Sequence, residues 1–125
     1  MVVGIGIDMV NKERMARVIR RWGDRFLKRI LTPGEFNLCQ KKPDFIGSVA
    51  ARFAAKEATF KAVGSGWTGE VGWQDIEVQS EPSGKPVLFL YNHAKTLLEG
   101  CRLHLTLSHS DQESVAFVVI EKLES

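Results

Sequence analysis

The sequence from residue 52 to residue 62 reads Arg52-Phe53-Ala54-Ala55-Lys56-Glu57-Ala58-Thr59-Phe60-Lys61-Ala62. It lies in an alanine-rich segment, residues 44–63, that is followed by Gly64-Ser65-Gly66. Alanine has the highest helix propensity, and glycine just after the last periodic residue is typical of a helix end. The segment therefore predicts the longest helix of the chain, and this helix holds one carboxylate, Glu57, among basic side chains.

Upstream, the sequence Gly4-Ile5-Gly6-Ile7-Asp8 alternates apolar side chains with two glycines and an acid. A period of two predicts a strand over residues 2–8, and the glycines leave one of its faces almost bare. Because a residue without a side chain lets another backbone approach, this face is expected to pack closely against another element.

Similar patterns predict the remaining elements. Asn11 is expected to cap a helix that runs to about Trp22, and a short helix is expected after Asp24. The sequence Thr32-Pro33-Gly34-Glu35 reads as a capping box that opens another helix. Strands are predicted at residues 76–79, 87–91, 103–107 and 115–120, with a helix from Asn92 to Gly100. Together these elements predict an α+β fold in which a mostly antiparallel sheet packs against the long central helix.

Length and composition set the broad class of protein. With 125 residues and 44% hydrophobic content, the chain has room for one core, and we expect a single domain over residues 1–125. No apolar run approaches the roughly 18 residues of a membrane span, and no secretory signal pattern precedes the first strand, which predicts a cytoplasmic location. Cys39 and Cys101 lack metal-type spacing and are expected to be free thiols.

Basic residues are concentrated near the N-terminus. Eight of the seventeen Lys and Arg residues fall within residues 12–29, where only Glu13 and Asp24 oppose them. Such a block attracts an acidic partner, so a small basic nucleic-acid-binding module is the alternative to an enzyme, although it leaves Glu57 unexplained. Four apolar residues at helical spacing in this block are interpreted first as core positions, with apolar contacts to the partner as the alternative: Met15, Val18, Trp22 and Phe26.

Asp8 and Glu57 are the candidate ligands for a metal ion. Asp8 ends an apolar strand, where burial of a carboxylate is costly unless a cation or hydrogen-bond donors compensate it. Magnesium commonly takes one or two protein carboxylates together with substrate phosphates and water, so two acids are enough. The alternatives are that Asp8 caps the next segment or lies at the surface. The residue pattern alone does not bring Asp8 and Glu57 together.

The long helix presents several faces. With about 100° per residue, Glu57 and Lys61 share one side, while Arg52 and Lys56 point well away from them. We expect Glu57 with Lys61, on one side, and Arg52, on the other, to serve opposite ends of ligands in neighbouring copies of the site. The alternative is an exposed i to i+4 pair worth about 0.3 to 0.5 kcal/mol. A third face consists of small residues: Ala51, Ala55, Ala58 and Ala62.

Other candidate groups give weaker signals. His109 and Ser110 follow the late strand and offer donors to an anion, with turn stabilisation as the alternative. His104 is as easily a hydrogen-bonded structural histidine as a catalytic one. Gly64 and Ser65 can present backbone N–H groups to a phosphate, but such residues after a helix more often form its C-cap.

Three patterns occur in one order along the chain. They are Gly-Ile-Asp ending at Asp8, the block Phe53-Ala-Ala-Lys-Glu-Ala-x-x-Lys61-Ala, and the turn Leu107-Ser-His-Ser110. In this order and spacing they resemble the small holo-acyl-carrier-protein synthases, which are 4'-phosphopantetheinyl transferases. The resemblance spans essentially the whole chain. Met9 departs from it, because the family often has Ile or Leu at this place.

The resemblance implies transfer of the phosphopantetheine arm of coenzyme A to a serine of acyl carrier protein, in support of fatty acid biosynthesis. The released product would be adenosine 3',5'-bisphosphate. Asp8 and Glu57 would be magnesium ligands and, with Lys61 as a phosphate contact, the catalytic residues. Whether a metal-bound water, Glu57 or Lys61 takes the serine proton is left open.

The resemblance further implies a homotrimer with active sites between subunits. Arg52, His109 and Ser110 would then contact the coenzyme A 3'-phosphate from the adjacent subunit, while the alignment leaves open whether Lys41 and Lys42 help. The full set of expected coenzyme A contacts is Arg52, Lys61, Gly64, Ser65, His109 and Ser110. An acidic acyl carrier protein is expected to dock on a basic stripe made of Arg14, Arg17, Arg21, Arg25 and Lys28.

Overall fold

A computed structural model of the chain describes residues 1–64 and 71–124. Its helices are α1 (Lys12–Ile30), α2 (Pro33–Gln40), α3 (Phe45–Val63) and α4 (Asn92–Leu97), and a 3-10 turn covers Trp73–Asp75. Its strands are β1 (Val2–Asn11), β2 (Ile76–Ser80), β3 (Pro86–Leu90), β4 (Cys101–His109) and β5 (Glu113–Lys122). The predicted α+β class, with α3 as the long central helix, is confirmed.

The strands form two antiparallel sheets, one with the order β1-β5-β4 and the other a hairpin of β2 and β3. β1, β4 and β5 each run at least two residues further than their sequence patterns predicted. β1 continues past Asp8 to Asn11, which pairs with Glu113, and β4 continues to His109, which pairs with Ser114. Polar residues at the strand ends interrupt the alternation, but the neighbouring strand still supplies hydrogen-bond partners.

β1 crosses α3 at close range, as its glycines predicted. A Cβ atom added at Gly6 would lie 2.0 Å from the carbonyl oxygen of Ala58, and one at Gly4 would lie 2.1 Å from that of Ala62. Ala58 and Ala62 are themselves buried, so the bare face of the strand rests on the small-residue face of the helix. This contact fixes where Asp8, two residues after Gly6, lies relative to α3.

The helix signals near the N-terminus are also confirmed. The Oδ1 atom of Asn11 accepts a hydrogen bond from the Arg14 backbone N–H at 2.9 Å and so caps α1. Gly23, with φ 59° and ψ −146°, breaks α1 into the two helical segments that the sequence predicted. In the capping box of α2, the Thr32 hydroxyl accepts from the Glu35 N–H and the Glu35 carboxylate accepts from the Thr32 N–H.

The prediction that Asn92 caps a helix is wrong. The N-cap of α4 is Tyr91, which makes no side-chain capping bond, and the amide of Asn92 instead donates to Asp75 Oδ1 at 2.8 Å. The helix also ends earlier than predicted, at Leu97. An asparagine at the start of a short helix can therefore serve a tertiary contact, which local sequence does not distinguish from a cap.

The core consists of two clusters that meet along α3. One lies between α3 and the larger sheet, and the other lies among α1, α2 and the first half of α3. Of the four core candidates in α1, Met15 is buried, Val18 and Phe26 are half-buried, and Trp22 is 54% exposed. The core prediction is thus wrong for Trp22, which is the last residue before the break at Gly23 and lies against the guanidinium of Arg21 rather than against the core.

Two predictions from composition concern the cysteines and membrane-spanning segments. Cys39 is buried and Cys101 is half-buried, and both are free thiols, as predicted. Over residues 1–64 and 71–124, no helix combines the length and the apolar composition that a bilayer span requires.

Candidate active site

Asp8 of β1, Glu57 of α3 and Lys61 of α3 come together where the strand crosses the helix. The Lys61 ammonium donates to Asp8 Oδ1 at 2.9 Å and to the backbone carbonyl of Ile7 at 3.1 Å. Glu57, one helical turn before Lys61, is half-buried and lies near enough to Asp8 for the charge of Asp8 to affect its pKa. The fold therefore unites the two carboxylates, which the residue pattern alone did not.

The electrostatics of this group favour binding of a cation. Burial is the main reason that the pKa of Glu57 is raised, the charge of Asp8 raises it further, and Lys61 opposes both effects. Two carboxylates at short range in a partly desolvated place repel each other, and a positive charge between them relieves the repulsion. Lys61 supplies one such charge, but its side chain is 54% exposed and can move aside for another cation.

The donor atoms of the group fit magnesium. Both carboxylates offer oxygen, the ligand type that this hard cation prefers, and two protein carboxylates suffice where substrate phosphates and water complete the coordination. Nowhere in the described part of the chain do three or more His, Cys, Asp or Glu side chains form a cluster that could hold a metal. Asp8 and Glu57 thus suit an ion that arrives with a phosphate ligand rather than one held by protein groups alone.

Arg52 lies in the first half of α3, away from Glu57 and Lys61, as the helical geometry predicted. Its side chain is 7% exposed, and Nη1 donates to the Ser48 carbonyl at 3.0 Å. Among the described residues, its buried Nε atom finds no hydrogen-bond acceptor. An unsatisfied guanidinium N–H is unfavourable, and an anion such as a phosphate is the kind of ligand that satisfies it.

His109 ends β4 and is exposed near the start of α3. The pKa of Asp44, the N-cap of α3, is lowered mainly by a hydrogen bond from the Gly47 N–H and then by Lys12, with a smaller contribution from His109. His109 is therefore close to Asp44, in the half of α3 that also carries Arg52. Its contact with coenzyme A stays a prediction.

Ser110 stabilises the turn between β4 and β5. Its Oγ atom accepts hydrogen bonds from the backbone N–H groups of Gln112 at 3.2 Å and Glu113 at 3.1 Å. The turn role that the sequence left as an alternative is thus present. The hydroxyl proton is not used by these two bonds, so a contact from Ser110 to an anion stays a prediction.

The remaining site candidates have local structural roles, are exposed at the surface, or lie outside the described residues. Gly64 is the C-cap of α3, and its N–H donates to the Phe60 carbonyl, which confirms the capping alternative and occupies the group expected to reach a phosphate. Ser65 lies outside the described residues. His104 Nε2 is 3.0 Å from Glu121 Oε1, as in a hydrogen-bonded structural histidine. Lys41 and Lys42 are exposed after α2.

The basic stripe of α1 is exposed to solvent on both sides of the Gly23 break. Arg17 pairs with Glu13 at 3.0 Å, while the guanidinium of Arg21 lies 5.2 Å from the ring centroid of Trp22. Tryptophan and arginine are the residues most often found at binding hot spots. All five predicted members of the stripe are available to an acidic partner: Arg14, Arg17, Arg21, Arg25 and Lys28.

Sequence reasoning missed a buried ion pair beside Glu57. Lys56 and Glu35 are both 0% exposed, and Lys56 Nζ lies 2.6 Å from Glu35 Oε1. Burial lowers the pKa of Lys56, and the charge of Glu35 opposes that shift. The signal in the sequence is the helical spacing of Lys56 and Thr59, which predicts that they share one side of α3. In the structure that side is buried.

Comparisons with known proteins identify the family of the chain. The sequence profile of the 4'-phosphopantetheinyl transferase superfamily matches residues 4–118. A holo-[acyl-carrier-protein] synthase of Koribacter versatilis is 47% identical over 124 residues, which cover 97% of this chain and 99% of that protein.

Solved structures give the same result. A holo-(acyl-carrier-protein) synthase from Bacillus anthracis in complex with CoA (3',5'-ADP) is 41% identical, with a TM-score of 0.81 and 98% of each chain covered. The synthase from Neisseria meningitidis is 40% identical, with a TM-score of 0.89 over 98% of this chain and 100% of that one. The chain therefore belongs to the holo-[acyl-carrier-protein] synthase family of the 4'-phosphopantetheinyl transferase superfamily.

Proposed function

We propose that this protein transfers the 4'-phosphopantetheine group of coenzyme A to a serine of apo acyl carrier protein, in support of cytoplasmic fatty acid biosynthesis. The products are holo acyl carrier protein and adenosine 3',5'-bisphosphate. The observation that carries the proposal is the meeting of Asp8, Glu57 and Lys61 at one point of a chain of this family. The alternative of a nucleic-acid-binding module has no support among the relatives.

In the proposed reaction, the serine oxygen attacks the phosphorus that bears the pantetheine arm. A P–O bond to the serine forms, and the P–O bond to the adenosine 5'-phosphate breaks. The leaving bisphosphate takes the bonding electron pair, and the serine proton passes to a base. Because such transfers involve little covalent work by the protein, the enzyme mainly positions the groups and stabilises negative charge.

Asp8 and Glu57 would hold a magnesium ion beside the pyrophosphate. When bound, such an ion neutralises negative charge on phosphoryl oxygens. Lys61, released from Asp8, can donate its hydrogen bonds to the same phosphates.

Mass spectrometry tests the proposed transfer. Apo acyl carrier protein incubated with coenzyme A, magnesium and this protein is expected to gain the mass of one phosphopantetheine group, and a mixture with EDTA to gain none. Binding to coenzyme A and to duplex DNA, each measured as salt rises, separates the two candidate functions. An unmodified carrier protein together with tight, salt-dependent DNA binding would favour the nucleic-acid alternative.

The homotrimer is part of the proposal and has support from the surface of β1. Val3, Ile5, Ile7 and Met9 lie on the face of the strand opposite the glycines, and each is between 51% and 63% exposed. Phe117 of β5 pairs with Ile7 and is also exposed. A contiguous apolar patch of this kind marks a protein interface.

Disruption of this apolar face is expected to dissociate the trimer. The variant Val3→Lys with Ile5→Lys places two charges in the patch, and desolvating them disfavours association. Analytical ultracentrifugation should give a trimer for the wild type and a monomer for the variant, with coenzyme A affinity lost in parallel. Trp22→Lys, at an exposed apolar position on α1, is the control. A monomeric wild type, or a variant that stays trimeric, contradicts the proposed interface.

Carrier-protein docking on the basic stripe of α1 is expected to show in the Michaelis constants. Reversal of two charges, Arg14→Glu with Arg21→Glu, should raise KM for the carrier protein roughly tenfold or more, because like charges then face each other. KM for coenzyme A should change by less than about twofold, since the coenzyme binds elsewhere. The control Lys85→Glu with Lys95→Glu makes the same change in net charge away from α1. Equal effects on both substrates would count against this docking surface.

A further inference from the structure

The Lys56–Glu35 pair is more fully connected than a salt bridge requires. Besides Glu35, the Lys56 ammonium donates to the carbonyl of Ile30 at 2.6 Å and to that of Trp73 at 3.0 Å. An ammonium has three donors, and all three are used. Lys56 thus ties the end of α1 and the 3-10 turn to the middle of α3.

Glu35 is satisfied in the same way. Its Oε1 atom accepts from the Thr32 N–H at 2.9 Å in addition to Lys56, and its Oε2 atom accepts from the Val78 N–H at 2.7 Å. These bonds connect the start of α2 and the strand β2 to the same point. One pair of charges therefore fixes the positions of four parts of the chain relative to α3: the end of α1, the start of α2, the 3-10 turn and β2.

A buried ion pair is not needed for stability alone, because well-packed apolar residues of similar volume often stabilise a core as well or better. A fully satisfied polar network instead fixes one geometry, since each bond has a required distance and direction. Lys56 precedes Glu57 in sequence. Because successive helical side chains point about 100° apart, anchoring Lys56 in the core sets the direction in which Glu57 points.

The same pair also positions an aromatic cluster, made of Trp73, Phe53 and Phe60, next to Glu57. The Trp73 ring, whose backbone carbonyl binds Lys56, stacks on Phe53 with centroids 5.0 Å apart and an interplanar angle of 18°. It meets Phe60 edge-on, also at 5.0 Å. Phe53 and Phe60 lie one turn before and one turn after Glu57 on α3. Release of Trp73 would therefore change the packing on both sides of the carboxylate.

We propose that Lys56 and Glu35 are positioning residues. They fix the rotation of α3 about its axis and the place of the Trp73 ring, so that the Glu57 carboxylate faces Asp8. They act through Glu57 and contact neither substrate. The inference rests on the proposed function, in which Glu57 and Asp8 bind the metal and the phosphates. A purely structural pair would affect folding but not the geometry of the site in a folded variant.

The double variant Lys56→Met with Glu35→Gln tests the inference. It removes both charges and retains similar volumes, so circular dichroism and ultracentrifugation should report a folded protein of unchanged assembly. We expect kcat to fall roughly tenfold or more, and magnesium affinity, measured by isothermal titration with coenzyme A present, to fall by a similar factor. KM for the carrier protein should stay within about twofold, since Arg14 and Arg21 dock it elsewhere.

Thr59→Val is the matched control. Thr59 is also a fully buried polar residue of α3, but its hydroxyl donates only to the Ala55 carbonyl within the helix. Its replacement should leave kcat and magnesium affinity unchanged. If this double variant does not fold, the double variant Lys56→Gln with Glu35→Gln, which buries no charge and keeps two N–H donors at position 56, should show the same losses. A folded variant with wild-type kcat and magnesium affinity overturns the positioning role.

Parallel assays of the wild type and Glu57→Gln distinguish failure of this inference from failure of the proposed function. An inactive wild type, or full activity in Glu57→Gln, would argue against the proposed function itself. An active wild type, an inactive Glu57→Gln and an unaffected double variant would overturn only the inference about Lys56 and Glu35.

Discussion

Replacement of Glu57 by Gln is expected to lower the rate of phosphopantetheine transfer by a factor of roughly a hundred to a thousand. Glutamine keeps the size of the side chain but lacks the negative charge that, with Asp8, would hold a magnesium ion. Lys61 would then remain bonded to Asp8 rather than turn to a phosphate. The loss is measured as carrier protein converted over time, by mass spectrometry, at saturating coenzyme A and magnesium.

The fold should survive this change. Glu57 is half-buried at the surface of α3, so circular dichroism and thermal unfolding should match the wild type closely. Glu81→Gln, which removes a carboxylate from an exposed turn, is the control and should turn over normally. Near-normal transfer by a folded Glu57→Gln protein would refute the role given to this residue.

Replacement of Lys56 by Met alone is expected to have the largest effect on stability, a loss of about 3 to 5 kcal/mol in the free energy of unfolding. The change leaves the Glu35 carboxylate buried without a cation, and it also leaves the carbonyls of Ile30 and Trp73 without their donor. Urea unfolding at fixed protein concentration, analysed by linear extrapolation, measures the loss.

The second substitution Glu35→Gln, added to Lys56→Met, is expected to restore part of this stability, because no uncompensated charge is then buried. Comparing the single and double variants separates the free-energy cost of a buried unpaired charge from the net contribution of the ion pair to stability. A Lys56→Met protein that unfolds within about 1 kcal/mol of the wild type would show that water or rearrangement relieves the charge, contrary to its complete burial here.

Local patterns were sufficient for the elements that position the site. The alanine-rich segment with glycine after it predicted α3, and the glycines of β1 predicted a face for close packing. These predictions succeed because helix propensity, capping and the absence of a side chain act within a few residues. The same argument explains the correct break of α1 near Gly23.

Predictions about single side chains were less secure wherever a distant partner decided the outcome. Trp22 has helical spacing typical of a core residue, but it is exposed next to Arg21. Asn92 has the chemistry of a cap, but its amide is bound by Asp75 from the 3-10 turn. For Asn92, a contact far along the chain selected one of two positions that the local pattern allowed, whereas Trp22 is exposed beside its sequence neighbour.

The sequence by itself determined the α+β class, the long helix with Glu57 and Lys61 on one side, and the strand that carries Asp8, because each follows from periodicity and backbone preference. Only the tertiary structure decided that Asp8 meets these residues and that Lys56 is buried against Glu35. Asp8 and Glu57 are far apart along the chain, and the distance between them depends on how closely Gly4 and Gly6 let β1 approach α3. That approach is a property of two packed surfaces, which no local stretch of residues encodes.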